Sequence, residues 1–243
     1  MTTITERNRE TAAISRPSIS RDQQRWHEAG ARWLFATTDK PQDAASIKSI
    51  LQRALEGAVE TRVIPERASV PANEHAKIDV TSTGPFKLTV LDPTGSSVFS
   101  VVRPGSGTVT VDAKLSPGLH HVVVDRENGP EPRRARGGFW VKDTALLGSG
   151  PRLGVGRDWL TKDGKPFPVI GTTYMASDVH RHFVFEPNPV VWDADFAEME
   201  KHGINFVRTG LWTAWSRVIT EQAGARTVDE GVLAAVEAFG ETA

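Results

Sequence analysis

The sequence contains no cysteine in 243 residues. That excludes disulfide frameworks, Cys-ligated zinc and thiol catalysis together, without fixing the compartment. An excess of either charge is also missing: 29 basic and 30 acidic side chains leave a formal net charge of -1. With no positive surplus to neutralise phosphates, neither nucleic acid nor an anionic membrane is an expected partner. No apolar run approaches the about 18 residues that would suggest a transmembrane helix. The first 22 residues carry charges throughout and no apolar h-region, so no signal peptide is read and a cytoplasmic location is expected. What is present, 39% hydrophobic and 24% charged residues, is the composition of a soluble globular protein. The length suits one large domain or two ordinary ones.

Four stretches differ in pattern. Residues 1–21, rich in Thr, Arg, Ser and Asn, show no period and are expected to be a disordered arm. Residues 22–60 turn helical. Trp26, Ala29, Trp33 and Leu34 recur at helical spacing, and after a break near Pro41 a second helix begins with Asp43 as its cap. That helix places Ile47, Ile50, Leu51, Ala54 and Leu55 on one face and ends at Gly57. The Trp-bearing stripe reads as packing on a neighbouring domain, with a partner-binding surface as the alternative.

Residues 61–143 alternate with period two between turns. Strands are expected over 75–80, 86–91, 98–102, 108–111, 119–124 and 137–141. Asp92-Pro93-Thr94-Gly95 forms a turn between two of them, because Pro fixes φ and Gly accepts φ > 0. Six or seven short strands with a turn every 8 to 12 residues are the pattern of an Ig-like antiparallel β-sandwich. Ile78, Val80, Leu88, Val90, Val122 and Val124 are its expected inward residues. The basic cluster Arg133, Arg134 and Arg136 reads as a solvated loop.

Residues 144–243 change period again. Asp163-Gly164 is the two-residue turn of a hairpin over 158–168. A strand over 169–174, a helix over 192–202 ended by Gly203, a strand over 204–209 and a last helix over 229–239 make two βα units of a parallel structure. Phe196 and Met199 are expected inward, and Asp193 and Asp195 in the first turn. Gly154-Val155-Gly156 is too short for a dinucleotide fingerprint.

The motifs in this last stretch carry a resemblance. DGKPFPVIGTTY (163–174) resembles the entry into the barrel of the retaining (β/α)8 glycoside hydrolases, the clan of cellulases, mannanases and β-galactosidases. MEKHGINFVRTGLWTAW (199–215) is similar to that clan's first helix and second strand. The resemblance implies a multidomain protein: a short helical segment, an Ig-like sandwich, then the start of an incomplete (β/α)8 TIM barrel. It implies a glycoside hydrolase acting on β-linked oligo- or polysaccharides or β-galactosides, with carbohydrate as partner and no cofactor. The competing reading is a non-catalytic carbohydrate-binding or cell-surface adhesion module.

Site residues follow from barrel geometry, in which the active site forms at the C-terminal ends of the strands. Arg208 ends its strand, and a cation there can orient a carboxylate nucleophile and keep it ionised, the role that the clan's matching Arg carries. The alternative is an Arg held in a local salt bridge. Trp212 and Trp215, on the loop above, offer indole faces for sugar C–H surfaces, one of them packing beneath the loop. Tyr174, Asp178, His180 and His182 could supply hydroxyl-binding groups. His180 and His182 lack a third ligand nearby, so no metal is expected.

A retaining glycosidase needs two carboxylates about 5 to 5.5 Å apart, and the resemblance implies that they come from the fourth and seventh strands. Glu186 and Glu221 stand in neither place. The expectation is therefore a front fragment of a longer enzyme, inactive alone, whose remaining barrel comes from further sequence.

Overall fold

In a computed structural model, the structure describes residues 43–45, 47, 48, 61–126, 133–210, 218–222 and 225–243. The expected N-terminal arm, the Trp stripe and most of the second helix lie outside the described residues. Of that helix, the Ile47 amide donates to the Asp43 carbonyl at 3.0 Å.

Eight strands follow: β1 (Arg62–Pro65), β2 (Ser69–Val70), β3 (Lys77–Thr81), β4 (Phe86–Leu91), β5 (Ser97–Arg103), β6 (Gly107–Thr110), β7 (Gly118–Arg126) and β8 (Arg133–Val141). They form a sheet of order β1-β3-β6 and a second of order β2-β8-β7-β4-β5. All pairs are antiparallel except β2 with β8. Period-two alternation buries one face of each sheet, and the two faces share one core. Ile78 and Val80 come to it from β3, Leu88 and Val90 from β4, Val122 and Val124 from β7, all at 3% exposure or less. At the end of β4 the Asp92 carboxylate accepts from the Thr94 hydroxyl at 2.6 Å and from the Thr94 and Ser96 amides at 2.9 Å. The Thr94 hydroxyl first, then the Ser96 amide, holds that carboxyl below the usual range. Gly95 takes φ 85°, as the turn requires. Arg134 and Arg136 are exposed but belong to β8, not a loop, and Arg134 pairs with Asp125 at 2.6 Å.

A short helix α1 (Thr144–Ser149), capped by Asp143, leads into the small sheet β11-β10-β9, formed by β9 (Leu153–Val155), β10 (Leu160–Lys162) and β11 (Lys165–Pro166). The β10–β11 turn is Asp163-Gly164 with φ 50° and 77°, the left-handed pair that a type I′ hairpin demands. Next come β12 (Gly171–Thr173), α2 (Pro189–Lys201) and β13 (Phe206–Arg208), with β12 and β13 paired in parallel. The helix starts earlier than its apolar pattern suggests, because Asn188-Pro189 places a proline in its first turn. Asp193 and Asp195 consequently lie beyond the first turn. Its end is a Schellman motif: the Gly203 amide donates to Glu200 O at 2.8 Å and the Ile204 amide to Met199 O at 3.0 Å, with Gly203 at φ 78°. An antiparallel hairpin of β14 (Ile219–Gln222) and β15 (Ala225–Val228) precedes α3 (Glu230–Thr242).

The described chain is therefore mostly β with few helices, and its strands close into no barrel. A second core gathers Tyr174, Phe183, Val184, Trp192, Val232, Ala235 and Ala238, with Phe196 and Met199 packed against it. It abuts the outer face of β8. The Trp140 indole donates to the Thr242 hydroxyl at 2.8 Å, and the buried Glu241 carboxylate accepts from the Ser69 hydroxyl at 2.9 Å and the Asp143 amide at 3.0 Å.

Candidate functional site

The parallel pair sets the geometry. Gly171, Thr172 and Thr173 stand opposite Phe206, Val207 and Arg208, and the Tyr174 amide donates to the Arg208 carbonyl at 2.8 Å. The C-terminal ends of both strands thus open on one edge, where Thr209 also reaches the Tyr174 carbonyl at 3.4 Å. Asn205 fixes the opposite ends. Its side chain accepts from the Ile170 amide and donates to the Pro168 carbonyl, both at 2.9 Å, while its own amide bonds Ile170 O at 2.9 Å. The Asn of the GINFVR motif is a clip between the two strand entries, a part that the sequence reading left unassigned.

Arg208 lies exposed at the end of β13. Tyr174 does not face solvent. Its ring is 3% exposed, within 4.9 Å of Phe196 and 5.6 Å of Phe239 between centroids, and its hydroxyl donates to Asp195 Oδ2 at 2.9 Å. Burial first, and then the hydrogen bond to Asp195, pushes this phenol well above its ordinary range, so it stays protonated. Asp195 Oδ2 also accepts from the Ser177 amide at 3.0 Å.

The segment after Tyr174 is a chain of turns. The His180 amide bonds Ala176 O at 2.9 Å, and the Phe185 and Glu186 amides bond His182 O at 2.8 and 2.9 Å. Asp178, half-buried, accepts from the Val179 amide at 2.8 Å. His180 is exposed and has φ 51°, a left-handed conformation uncommon outside glycine and met most often at Asn, Asp and His. His182 is half-buried beside Phe185, with ring centroids 6.4 Å apart. Trp212 and Trp215 lie outside the described residues. Among the described residues no group of three or more His, Asp or Glu is disposed to hold a metal.

The carboxylates noted in the sequence have other engagements. Glu186 pairs with Arg62 of β1, and Glu221 with Arg226 across the β14–β15 hairpin at 3.5 Å. What the strand ends offer chemically is an exposed guanidinium beside a loop of polar groups.

No protein-family model matches the chain, and no curated protein matches it. Among solved structures it is similar to a β-glucuronidase from Ruminococcus gnavus in complex with C6-substituted uronic isofagomine, at 15% identity and TM-score 0.27 over 62% of this chain and 25% of that one. A Parabacteroides merdae β-glucuronidase with glycerol in its active site gives 12% identity and TM-score 0.32 over 74% and 23%. A thermostable endoglucanase from Alicyclobacillus acidocaldarius gives 15% and 0.24 over 32% and 15%. These structural neighbours are glycoside hydrolases, and the chain spans a quarter or less of each.

Proposed function

We propose that the chain is the front part of a retaining glycoside hydrolase that cleaves O-glycosidic bonds in β-linked saccharides. In this reading an Ig-like sandwich stands ahead of a (β/α)8 barrel, and the catalytic carboxylates are supplied by later strands. The observation that carries the reading is the parallel β12–β13 pair, joined by the crossover helix α2 and preceded by the Asp163-Gly164 hairpin. Its register puts the end of the Thr173-Tyr174 strand beside Arg208, on the edge where a (β/α)8 barrel assembles its active site. Arg208 orients the nucleophile and keeps it ionised. Asp178 and His180, with Trp212 and Trp215, contact the sugar. Tyr174 is given a packing role, since Asp195 already takes its hydroxyl.

The rival reading, a carbohydrate-binding or adhesion module, rests on the β domain as the working unit. Its outward row across β4 and β7 holds Lys87, Thr89, Leu91, His121, Val123 and Asp125. That row offers no Trp, Tyr or Phe face for a sugar ring to stack on, which favours the enzyme.

The test is hydrolysis of aryl β-glycosides by an extended product carrying residues 1–243 at its front, followed by NMR of the first-formed anomer. The β anomer appearing first is expected. The α anomer first would remove the retaining mechanism, and no hydrolysis of any β-glycoside would remove the reading itself. The 243-residue chain alone is expected to be inactive, since both proton transfer and nucleophilic attack need the missing carboxylates.

A further inference from the structure

The loop between β12 and α2 is pinned at both ends through carboxylates, one from α2 and one of its own that reaches β1. At its start Asp195, one turn and more into α2, holds both the Tyr174 hydroxyl and the Ser177 amide. At its end Glu186 reaches Arg62 on β1, an ion pair 124 residues apart in sequence. The Glu186 side chain is 14% exposed and that of Arg62 35%. Two residues on, the Asn188 side chain donates to the Arg136 carbonyl of β8 at 3.2 Å. Gly138 of β8 then lets α2 approach the sheet, since a Cβ there would stand 2.5 Å from Val190 Cγ2. Between the pins Phe183 and Val184 are buried in the second core, while His180 stays exposed.

A carboxylate withdrawn this far from water needs a partner, and an ion pair between an early strand and a distant loop constrains where that loop can lie, whatever it adds to net stability. We propose that Arg62 and Glu186 are a positioning pair that ties the β12–α2 loop to the β domain. The β domain is then part of the framework that presents Asp178 and His180, not an appended module. That purpose rests on the proposed reading of Asp178 and His180 as sugar contacts; the tie itself does not.

The test is amide hydrogen exchange on the full 243-residue chain. Glu186→Gln keeps the shape of the side chain and removes its charge. Exchange at the His180, Phe185 and Glu186 amides is expected to speed up by at least about tenfold, while the Val122 and Val124 amides of β7 keep their wild-type rates. The charge swap Arg62→Glu with Glu186→Arg is expected to slow the loop again. Loop amides that keep wild-type rates in Glu186→Gln overturn the proposal. So does a common acceleration of loop and β7, which marks a contribution to overall stability only, and so does a swap that leaves the loop fast. Should Glu186→Gln fail to fold, Arg62→Lys, which keeps the charge but not the planar fork, is read in the same way. A protected loop in a protein that hydrolyses no glycoside would sink the proposed function and leave the positioning pair standing.

Discussion

Single residues in this chain are constrained by what lies against them, and two show it sharply. His120 is fully buried in the β-domain core, stacked on Phe139 at 5.4 Å and 12°, with Nδ1 3.1 Å from the Gly118 carbonyl and no partner at Nε2. Desolvation is the main cause that lowers its pKa; the Gly118 carbonyl and Asp92 oppose it, and His121 adds to it. The folded protein therefore takes up a proton at His120 less readily than the unfolded chain, which protonates it near pH 6.5. Its contribution is fully present above that pH and declines as pH falls below it, by at most about 1.4 kcal/mol per pH unit. Urea midpoints between pH 5 and 8 should show this slope, and His120→Leu should flatten it. Gly138 is the second case. A Cβ there would lie 2.5 Å from the His120 carbonyl as well as from Val190, so Gly138→Ala should cost about 1–3 kcal/mol. An unchanged urea midpoint would show that β8 and α2 are less closely packed than described.

Elements were legible in the sequence where local chemistry and core pattern agree. Strand β4 occupies the expected 86–91, and the Asp163-Gly164 turn takes the φ values its residues favour. Strands β12 and β13 are shorter than their apolar runs, since Val169, Ile170 and Ile204 lie outside the ladder. Helix α1 and the β14–β15 hairpin leave no signal in the sequence, for a shared reason. The described residues of the hairpin strands are exposed and α1 buries none of its residues, so neither has a hydrophobic period. Helix α2 starts three residues before Trp192, since Asn188-Pro189 supplies its start signal. Its end agrees with the glycine signal at Gly203, and the Schellman geometry gives the reason. Gly203→Ala places a Cβ at φ 78° and should cost about 1 kcal/mol, seen as a lower Tm with the β-domain signal otherwise unchanged. No loss would mean that the helix end does not depend on the left-handed glycine.

At the scale of the whole molecule the chain has two cores and one seam. The β-domain core is self-contained, whereas the second core is shared among the Tyr174 segment, α2 and α3 and closes onto Ala68 and Trp140. The seam could not be read from sequence, since Ser69–Glu241 and Arg62–Glu186 join residues more than 100 positions apart. The candidate site was legible only in part. Strand-end placement of Arg208 follows from pattern, but the inward turn of Tyr174 depends on Asp195 and on aromatic neighbours from two helices. Around the β12–β13 pair Val169, Ile170 and Phe206 remain exposed. Apolar surface of this kind beside an open sheet edge should bind an apolar dye at neutral pH and promote self-association. A dye-silent monomer would count against these strands being the start of a larger sheet. Whether the ends of β12 and β13 form part of the proposed glycosidase active site is decided by the steady-state kinetics of Arg208→Ala in the extended product on an aryl β-glycoside. A residue that orients the nucleophile acts on the transition state, so kcat should fall by at least about tenfold with KM little changed. A kcat within about twofold of wild type, worth under roughly 0.5 kcal/mol, would contradict the claim.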